Sequence, residues 1–460
     1  MSSIQYHSIN PYSEETIQQY SLTTHSEIQI LLDELSLSQK KWSKIPLSEK
    51  QEWLLILKQL LLDQKKELAE MITNEMGKPL NQSIAEIEKC TTLCDYYSTI
   101  DKSMFEETIW LDDTKTIISY KPLGTILLIM PWNFPFWQVL RCAIPALLMG
   151  NTVLLKHSSN VSGCSKRIEE LFFSSIETTN IGLPLLKSCF VDNDTIVDII
   201  SSPHIQGVSL TGSTTAGKIL AAHCGNAVKK CVLELGGSDA YILLEDAELS
   251  KAIDACVTSR LLNTGQSCIS AKRFIVHKRL VRDFTDGMKT AFEQKKFGDP
   301  MLSFDLGTLA RKDLREGLHT QVVRAKESGA NCILGGFIPE GKGFFYPPTI
   351  LTNVTSTTTT FTEELFGPVA QIIAVEDDNE AIEIANATSF GLGGAIFSRD
   401  EEYAQNLALE QFQTGSVAIN DFLRSDARIP FGGIKESGFG REMGIQGLKE
   451  FSNCKVIRFS

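Results

Sequence analysis

Apolar positions recur every three or four residues in three N-terminal stretches, roughly Ser26 to Trp42, Leu47 to Met76 and Ser83 to Ser98. That spacing lays an apolar stripe along a helix of about 3.6 residues per turn, so the chain opens with a helical lead-in. From Thr125 the pattern changes. Short apolar runs alternate with helical periodicity: TILLIM, a helix beginning near Pro135, TVLLK, a helix from Ser162, KSCFVD, a short helix, GVSLTG, a helix near Gly217, then KCVLELGG. Such runs fit strands buried on both faces, and their alternation with helices predicts a parallel sheet with ligands at the carboxyl ends of its strands. A second α/β series starts after Gly237 with YILLED, a helix around Ala252 to Asn263 and RFIVHK, and continues to about Phe431. Two such units in one chain imply a cleft between them. The tail NCKVIRF and the segment TKTIISY, Thr114 to Tyr120, alternate like strands with no obvious local partner, and are expected to pair with another segment or subunit.

Composition narrows the classes of function. A chain of 460 residues, 43% hydrophobic and 22% charged, is long enough for two or three domains with sizeable cores. The formal net charge of -12 argues against a nucleic-acid binder, which needs Lys and Arg gathered opposite phosphates. The longest apolar run, Leu123 to Trp132, is too short to span a bilayer and reads as a buried strand with its exit turn. The start, Met1 to Ser13, is polar, without the apolar core of a signal peptide or an Arg-rich amphipathic stretch, so a cytoplasmic protein is expected. Its 11 cysteines are odd in number and show no CxxC pair or zinc-ligand spacing, which reads as reduced thiols and no metal. Cys90 and Cys94, four apart in a helical pattern, read as small apolar side chains facing a neighbouring helix.

Three short motifs carry candidate chemistry. GSTTAGK, Gly212 to Lys218, nearly matches a phosphate-cradling loop, but Ile219 stands where a magnesium-binding hydroxyl belongs. What survives is a strand-to-helix turn whose backbone N–H groups suit a dinucleotide pyrophosphate. Cys268 lies in NTGQSCISAKRF, a small, polar loop between a helix and a strand, where a thiol is accessible. ELGGS puts Glu234 at a strand end beside two glycines, and PWNFP puts Asn133 just past another strand end on the same sheet edge. A thiol, a carboxylate and an amide donor would then converge on the cleft.

PWNFP, GNTVLLK, VSLTGS, LELGG, NTGQSC, EELFGPV and FGGIKESGFGRE occur in the order found in the aldehyde dehydrogenase superfamily, and the chain resembles that family from about residue 120 to residue 441. The resemblance implies an α/β fold with a Rossmann-type cofactor domain, an α/β catalytic domain and a β oligomerisation arm. The expected segments are 1–103 with 123–233 for NAD(P), 234–432 for catalysis, and 104–122 with 444–460 for the arm of a homodimer or homotetramer. It further implies that Cys268 adds to an aldehyde to form a thiohemiacetal, which Asn133 and the cysteine's own N–H stabilise as an oxyanion. Hydride transfer then leaves a thioester that Glu234 hydrolyses as general base. An acylating relative that passes its thioester to coenzyme A or phosphate would lack that base. A catalytically silent structural relative would be expected to lose Cys268 or Glu234.

The family pattern also assigns Lys156 to the adenosine ribose, Glu364 to the nicotinamide ribose, Phe366 and Trp132 to the neighbourhood of the ring, and Gly212 with Ser213 to the pyrophosphate. Members that prefer NAD carry a Glu three residues after the lysine, and here Ser159 takes that place. Removing the carboxylate admits a 2′-phosphate, so NADP is expected to be accepted and preferred, the alternative being a permissive Ser159 that lets NAD and NADP both work. In FPFWQVLR, Trp137 and Arg141 share a helical face. A guanidinium in place of the usual aromatic is expected to bind a carboxylate at the far end of a short substrate, with Arg428 and Arg441 as rivals. KHSSN, ELGGSDAYI, NTGQSC and SDARIPFGG look like the compact bacterial succinate-semialdehyde dehydrogenases, where the serine matching Ser425 helps hold that carboxylate. Another short aldehyde is the alternative substrate.

Overall fold

The computed structural model describes residues 5–177, 179 and 182–459. Met1–Ile4 and Ser460, the outermost residues of the expected first segment and arm, lie outside the described residues. Helices His25–Trp42, Leu47–Asp63, Lys65–Met76 and Leu80–Ser98 form the lead-in. The first starts at a capping box in which Thr24 and Glu27 satisfy each other's exposed N–H groups. The single helix expected from Leu47 to Met76 is divided at Gln64, whose φ of -103° and ψ of 8° end one hydrogen-bond ladder and open the next. The turn lets Leu57 and Leu61 on one side, and Leu68 and Ile72 on the other, enter the same core. The sequence reading missed a hairpin, Gln5–Ile9 with Thr16–Ser21, because its strands are polar and bury little beyond Ser8 and Tyr20.

A six-stranded sheet runs in the order Gly438–Phe439, Lys230–Glu234, Ile205–Thr211, Thr125–Met130, Thr152–His157, Leu186–Ser188. All neighbours are parallel except the first pair. From the central strand Thr125–Met130 the chain adds two strands on one side and then crosses to add two on the other. That reversal is the switch point at which an open α/β sheet leaves a crevice beyond its strand ends. KSCFVD yields only the short strand Leu186–Ser188, although Cys189 N–H still donates to Leu155 O at 2.9 Å.

The second sheet orders Asn331–Leu334, Thr349–Thr352, Val369–Val375, Arg273–His277, Ala240–Leu243, Gly393–Phe397 and Ser416–Ile419, with only the first pair antiparallel. Separate apolar cores flank it. The tail Ser452–Arg458 pairs antiparallel with Thr114–Pro122, which also pairs with Glu106–Leu111, so the two partnerless segments find each other within one chain. This small sheet exposes Trp110 and Val456. Among the described residues no helix is long and apolar enough to cross a membrane, and no cluster could hold a metal ion.

Candidate active site

Asn133 follows the central strand and leads into the helix Trp137–Met149, whose first turn would leave N–H groups unpaired. The buried Glu86, from Leu80–Ser98, fills the gap. Its Oε1 accepts from Phe136 N–H at 2.9 Å and Trp137 N–H at 3.0 Å, while its Oε2 pairs with the buried Lys78. The lead-in thus fixes the direction in which the helix presents Trp137, Gln138 and Arg141.

Cys268 sits on a loop built under backbone constraint. Asn263 and Thr264 adopt left-handed φ values of 53° and 55°, and Gly265 one of 76°. A Cβ on Gly265 would lie 2.4 Å from the Gly367 carbonyl, so that position needs glycine for space as well as for φ. Asn263 Nδ2 donates to Asn133 O at 2.8 Å and Gln266 O at 3.1 Å, tying the cysteine loop to the PWNFP turn. The buried Lys272 donates to Cys268 O at 2.6 Å and Ser267 O at 3.1 Å. Asn133 Nδ2 donates to Gln266 O at 3.2 Å, and its Oδ1 has no partner.

Two cavities meet at the thiol. One, of about 340 Å³, has Phe134, Trp137, Arg141, Ile269, Ser425 and Phe431 among its walls. The other, of about 190 Å³, opens at the switch point and is lined by Trp132, Asn133, Gly212, Ser213, Glu364 and Phe366. Cys268 and Gln138 belong to both walls. Burial pushes the Cys268 thiol up to about 11, with Arg141 and Lys272 pulling the other way.

In the second cavity Trp132 and Phe366 meet edge to face, centroids 5.7 Å apart. Glu364 accepts from Gly237 N–H at 3.1 Å and lies 3.5 Å from Lys272. Ser213 caps the helix Thr214–Asn226 by accepting from Ala216 N–H, leaving a helix N-terminus at the crevice. Lys218, the lysine of the GSTTAGK motif, is bound to Glu436 at 2.6 Å instead. Lys156 and Ser159 lie apart from both cavities, the first near the end of Thr152–His157 and the second opening the turn Ser159–Val161. Both are half-buried, and burial lowers the Lys156 pKa.

Glu234 is buried beside the cavities rather than in their walls. Both its carboxylate oxygens lack a partner, and a Cβ on Gly432 would come within 2.8 Å of Oε1. Burial, then the Glu442 carboxylate, push its pKa well above the usual carboxylate range, against Arg141 and Arg441. The FGGIKESGFGRE motif braces this strand end. Gly438, at φ 111°, pairs with Glu234 where a Cβ would lie 1.9 Å from Leu233 O, and Ser437 Oγ donates to Gly236 O at 2.6 Å.

The expected carboxylate binder is not a free cation. Arg141 Nε lies 2.5 Å from Glu442 Oε2, with both side chains 2% exposed, and its guanidinium stacks on Phe431 at 4.7 Å. The rivals are committed too. Arg428 pairs with Asp426 at the surface, and Arg441 donates to Gly433 O and Gly440 O. Ser425 does line the cavity, 9% exposed, and accepts from Lys89 Nζ at 2.7 Å. Sequence reasoning missed Lys89, Glu86, Lys272 and Glu442. Lys89 and Ser425 are 336 positions apart, and nothing local to either signals the contact.

A half-buried thiol shared by a dinucleotide-type crevice and a narrow second cavity defines a cysteine-dependent α/β oxidoreductase site. The Aldehyde dehydrogenase family model matches residues 1–457, and the chain belongs to that family. A succinate semialdehyde dehydrogenase [NAD(P)+] of Escherichia coli strain K12 is 42% identical over 454 residues, covering 98% of this chain and 97% of the relative. A probable succinate-semialdehyde dehydrogenase [NADP(+)] of Synechocystis is 40% identical over 451 residues, 98% of each chain. The crystal structure of a succinic semialdehyde dehydrogenase from Streptococcus pyogenes with NADP+ superposes with a TM-score of 0.95 at 33% identity, covering 98% of this chain and 99% of that one.

Proposed function

We propose that the protein oxidises succinate semialdehyde to succinate with NADP, or with NAD, as hydride acceptor. The observation that carries this reading is the position of Cys268, the nucleophile, in the wall shared by the two cavities, one with dinucleotide-type lining and one ending in cationic and hydroxyl groups. The residues present fit a dinucleotide: a crevice at the switch point, the N-terminus of Thr214–Asn226, Glu364, and the aromatic pair Trp132 and Phe366. Lys156 and Ser159 would serve its adenosine end. With no carboxylate at Ser159, a 2′-phosphate meets no like charge, which favours NADP.

Cys268 Sγ adds to the aldehyde carbon as the thiol loses its proton, giving a thiohemiacetal oxyanion. Asn133 Nδ2 and the Cys268 N–H are its donors, the former released from Gln266 O to serve the substrate. A nicotinamide held by Glu364, Trp132, Phe366 and the Gly212–Ser213 turn would supply the hydride acceptor that oxidises this carbon by two electrons. The thioester on Cys268 is then hydrolysed by water that Glu234 deprotonates, releasing the acid and restoring the thiol. A base poised above the ordinary carboxylate range suits proton transfer near neutral pH.

The same reading makes 1–103 with 123–233 the cofactor part, 234–432 the catalytic part, and 104–122 with 444–460 an arm that joins subunits into a dimer or tetramer. Exposed Trp110 and Val456 on the small sheet support that arm. The test is product analysis with purified protein: succinate and reduced NADP are expected to form one for one, and Cys268→Ala to abolish both. Aldehyde consumption without succinate would overturn the reading.

A further inference from the structure

A wholly buried cation, Lys272, stands directly behind the nucleophile. It precedes the strand Arg273–His277, and its main chain is fixed on both sides. Its N–H donates to Asp239 O at 3.0 Å, and its carbonyl accepts from Gln371 N–H at 3.1 Å. From this rigid base the side chain reaches back four and five positions, to Cys268 O at 2.6 Å and Ser267 O at 3.1 Å. Glu364 Oε1 lies 3.5 Å from the same nitrogen. The two bonded carbonyls belong to the two peptide units that flank the Cys268 Cα. Ser270 N–H adds a longer bond, 3.3 Å, to Ser267 O. No peptide bond among the described residues is cis, so the Cys268 N–H points opposite to the Ser267 carbonyl, away from the ammonium. Ser267 and Cys268 both line the larger cavity. Holding both planes therefore sets the direction of the thiol and of its own N–H together.

We propose that Lys272 is the positioning residue of the nucleophile: it holds both peptide planes beside Cys268, so that the thiol and the N–H donor face the aldehyde together, and its charge steadies the thiolate. The proposal rests on the reading of Cys268 as the nucleophile and names the group that readies it. A neutral side chain of similar length would fill the space and do neither. It would leave Cys268 O without its donor inside the protein, where an unpaired carbonyl is costly, and the loop would shift to find another. It would also remove a full charge from beside a thiol in a water-poor site, where charges act more strongly than in solvent. Burial disfavours the Cys268 thiolate. Arg141, from the helix Trp137–Met149, and Lys272 favour it, while Glu364 and Asp239 oppose it. Arg141 is already bound to Glu442 at 2.5 Å, whereas the ammonium of Lys272 is bonded to the backbone of the nucleophile itself.

The experiment reads the nucleophile without turnover. Cofactor-free wild type, Lys272→Met and Lys272→Arg are treated with iodoacetamide at about pH 8, where the thiolate is the reacting form, and alkylation of each cysteine is timed by peptide mass spectrometry. Lys272→Met is expected to slow alkylation of Cys268 by about tenfold, the loss of thiolate that follows removal of a neighbouring cation. Exposed Cys454 is expected to react at its wild-type rate and buried Cys90 and Cys94 to stay unreactive, which reports an intact fold. Lys272→Arg, which keeps the charge and the donors, is expected to restore most of the rate. In turnover of succinate semialdehyde with NADP, Lys272→Met is expected to lower kcat by about 100-fold while KM moves by less than about threefold, because the thiol and the N–H donor act on the transition state. Alkylation of Cys268 at the wild-type rate in Lys272→Met overturns the proposal, and so does an unchanged kcat. If Cys90 and Cys94 become reactive in Lys272→Met, Lys272→Gln, which keeps a donor without the charge, is held to the same alkylation criterion. A Cys268→Ala variant that still oxidises the aldehyde overturns the nucleophile reading, and this proposal with it. An inactive Cys268→Ala beside an unaltered Lys272→Met overturns this proposal alone.

Discussion

Each residue at the site is legible through what it lacks. Asn133 leaves its Oδ1 unpaired while lending its Nδ2 to Gln266 O, so its amide is fixed in direction but free to give up one weak bond to an oxyanion. Asn133→Ala is therefore expected to lower kcat by about 10²–10³-fold, in the range for one oxyanion donor, with cofactor affinity little changed. Steady-state kinetics with a cofactor titration by fluorescence checks both parts. An unchanged kcat would remove Asn133 from the chemistry. Ser159 is informative for the charge that it does not carry. Ser159→Glu is expected to shift the NADP-to-NAD ratio of kcat/KM toward NAD by at least about tenfold, through repulsion of the 2′-phosphate. Parallel assays with the two cofactors decide it, and an unmoved ratio would mean that the adenosine end lies elsewhere.

At the scale of elements, the site is assembled where strand ends, turns and a helix are tied to one another. His157 is one such tie. Its Nε2 is 2.9 Å from Pro135 O and its Nδ1 accepts from Ser158 N–H at 2.9 Å, so the neutral ring joins the end of Thr152–His157 to the PWNFP turn. Burial lowers its pKa from 6.5 to about 4. As pH falls below 6.5 the unfolded chain takes up this proton before the folded one does, so folding stability falls with it. The loss runs from about pH 6.5 down to about pH 4, where the folded form also protonates, and amounts to something on the order of 3 kcal/mol. Urea midpoints measured across that window are expected to fall less steeply in His157→Gln than in the wild type. Equal slopes would show that His157 is not buried as a neutral group. The cysteine loop is a second tie, in which two left-handed non-glycine residues and Gly265 hold the thiol at the junction of the cavities.

Across the whole molecule, the sequence pattern revealed what periodicity and turn chemistry encode. The apolar runs TILLIM, TVLLK and GVSLTG became adjacent parallel strands, and the resemblance supplied the roles proposed for Cys268, Glu234 and Asn133. What stayed hidden depends on tertiary approach. The sequence shows Arg141 as a cation on a helical face, but only the fold sets it against Glu442, and only the fold brings Lys89 of the lead-in to Ser425. The break at Gln64 was missed for a related reason, since it is decided by packing into a core shared with distant parts of the chain, whereas the hairpin Gln5–Ile9 with Thr16–Ser21 has polar strands that carry no apolar alternation to read.

The central claim is selectivity for a short aldehyde that carries a carboxylate, and the most direct test is the wild-type ratio of kcat/KM for succinate semialdehyde over butanal with NADP. The structure predicts a ratio of at least about tenfold, roughly 1.4 kcal/mol of transition-state preference. Butanal turned over as efficiently as the semialdehyde would contradict the account and leave an aldehyde dehydrogenase selective for something else.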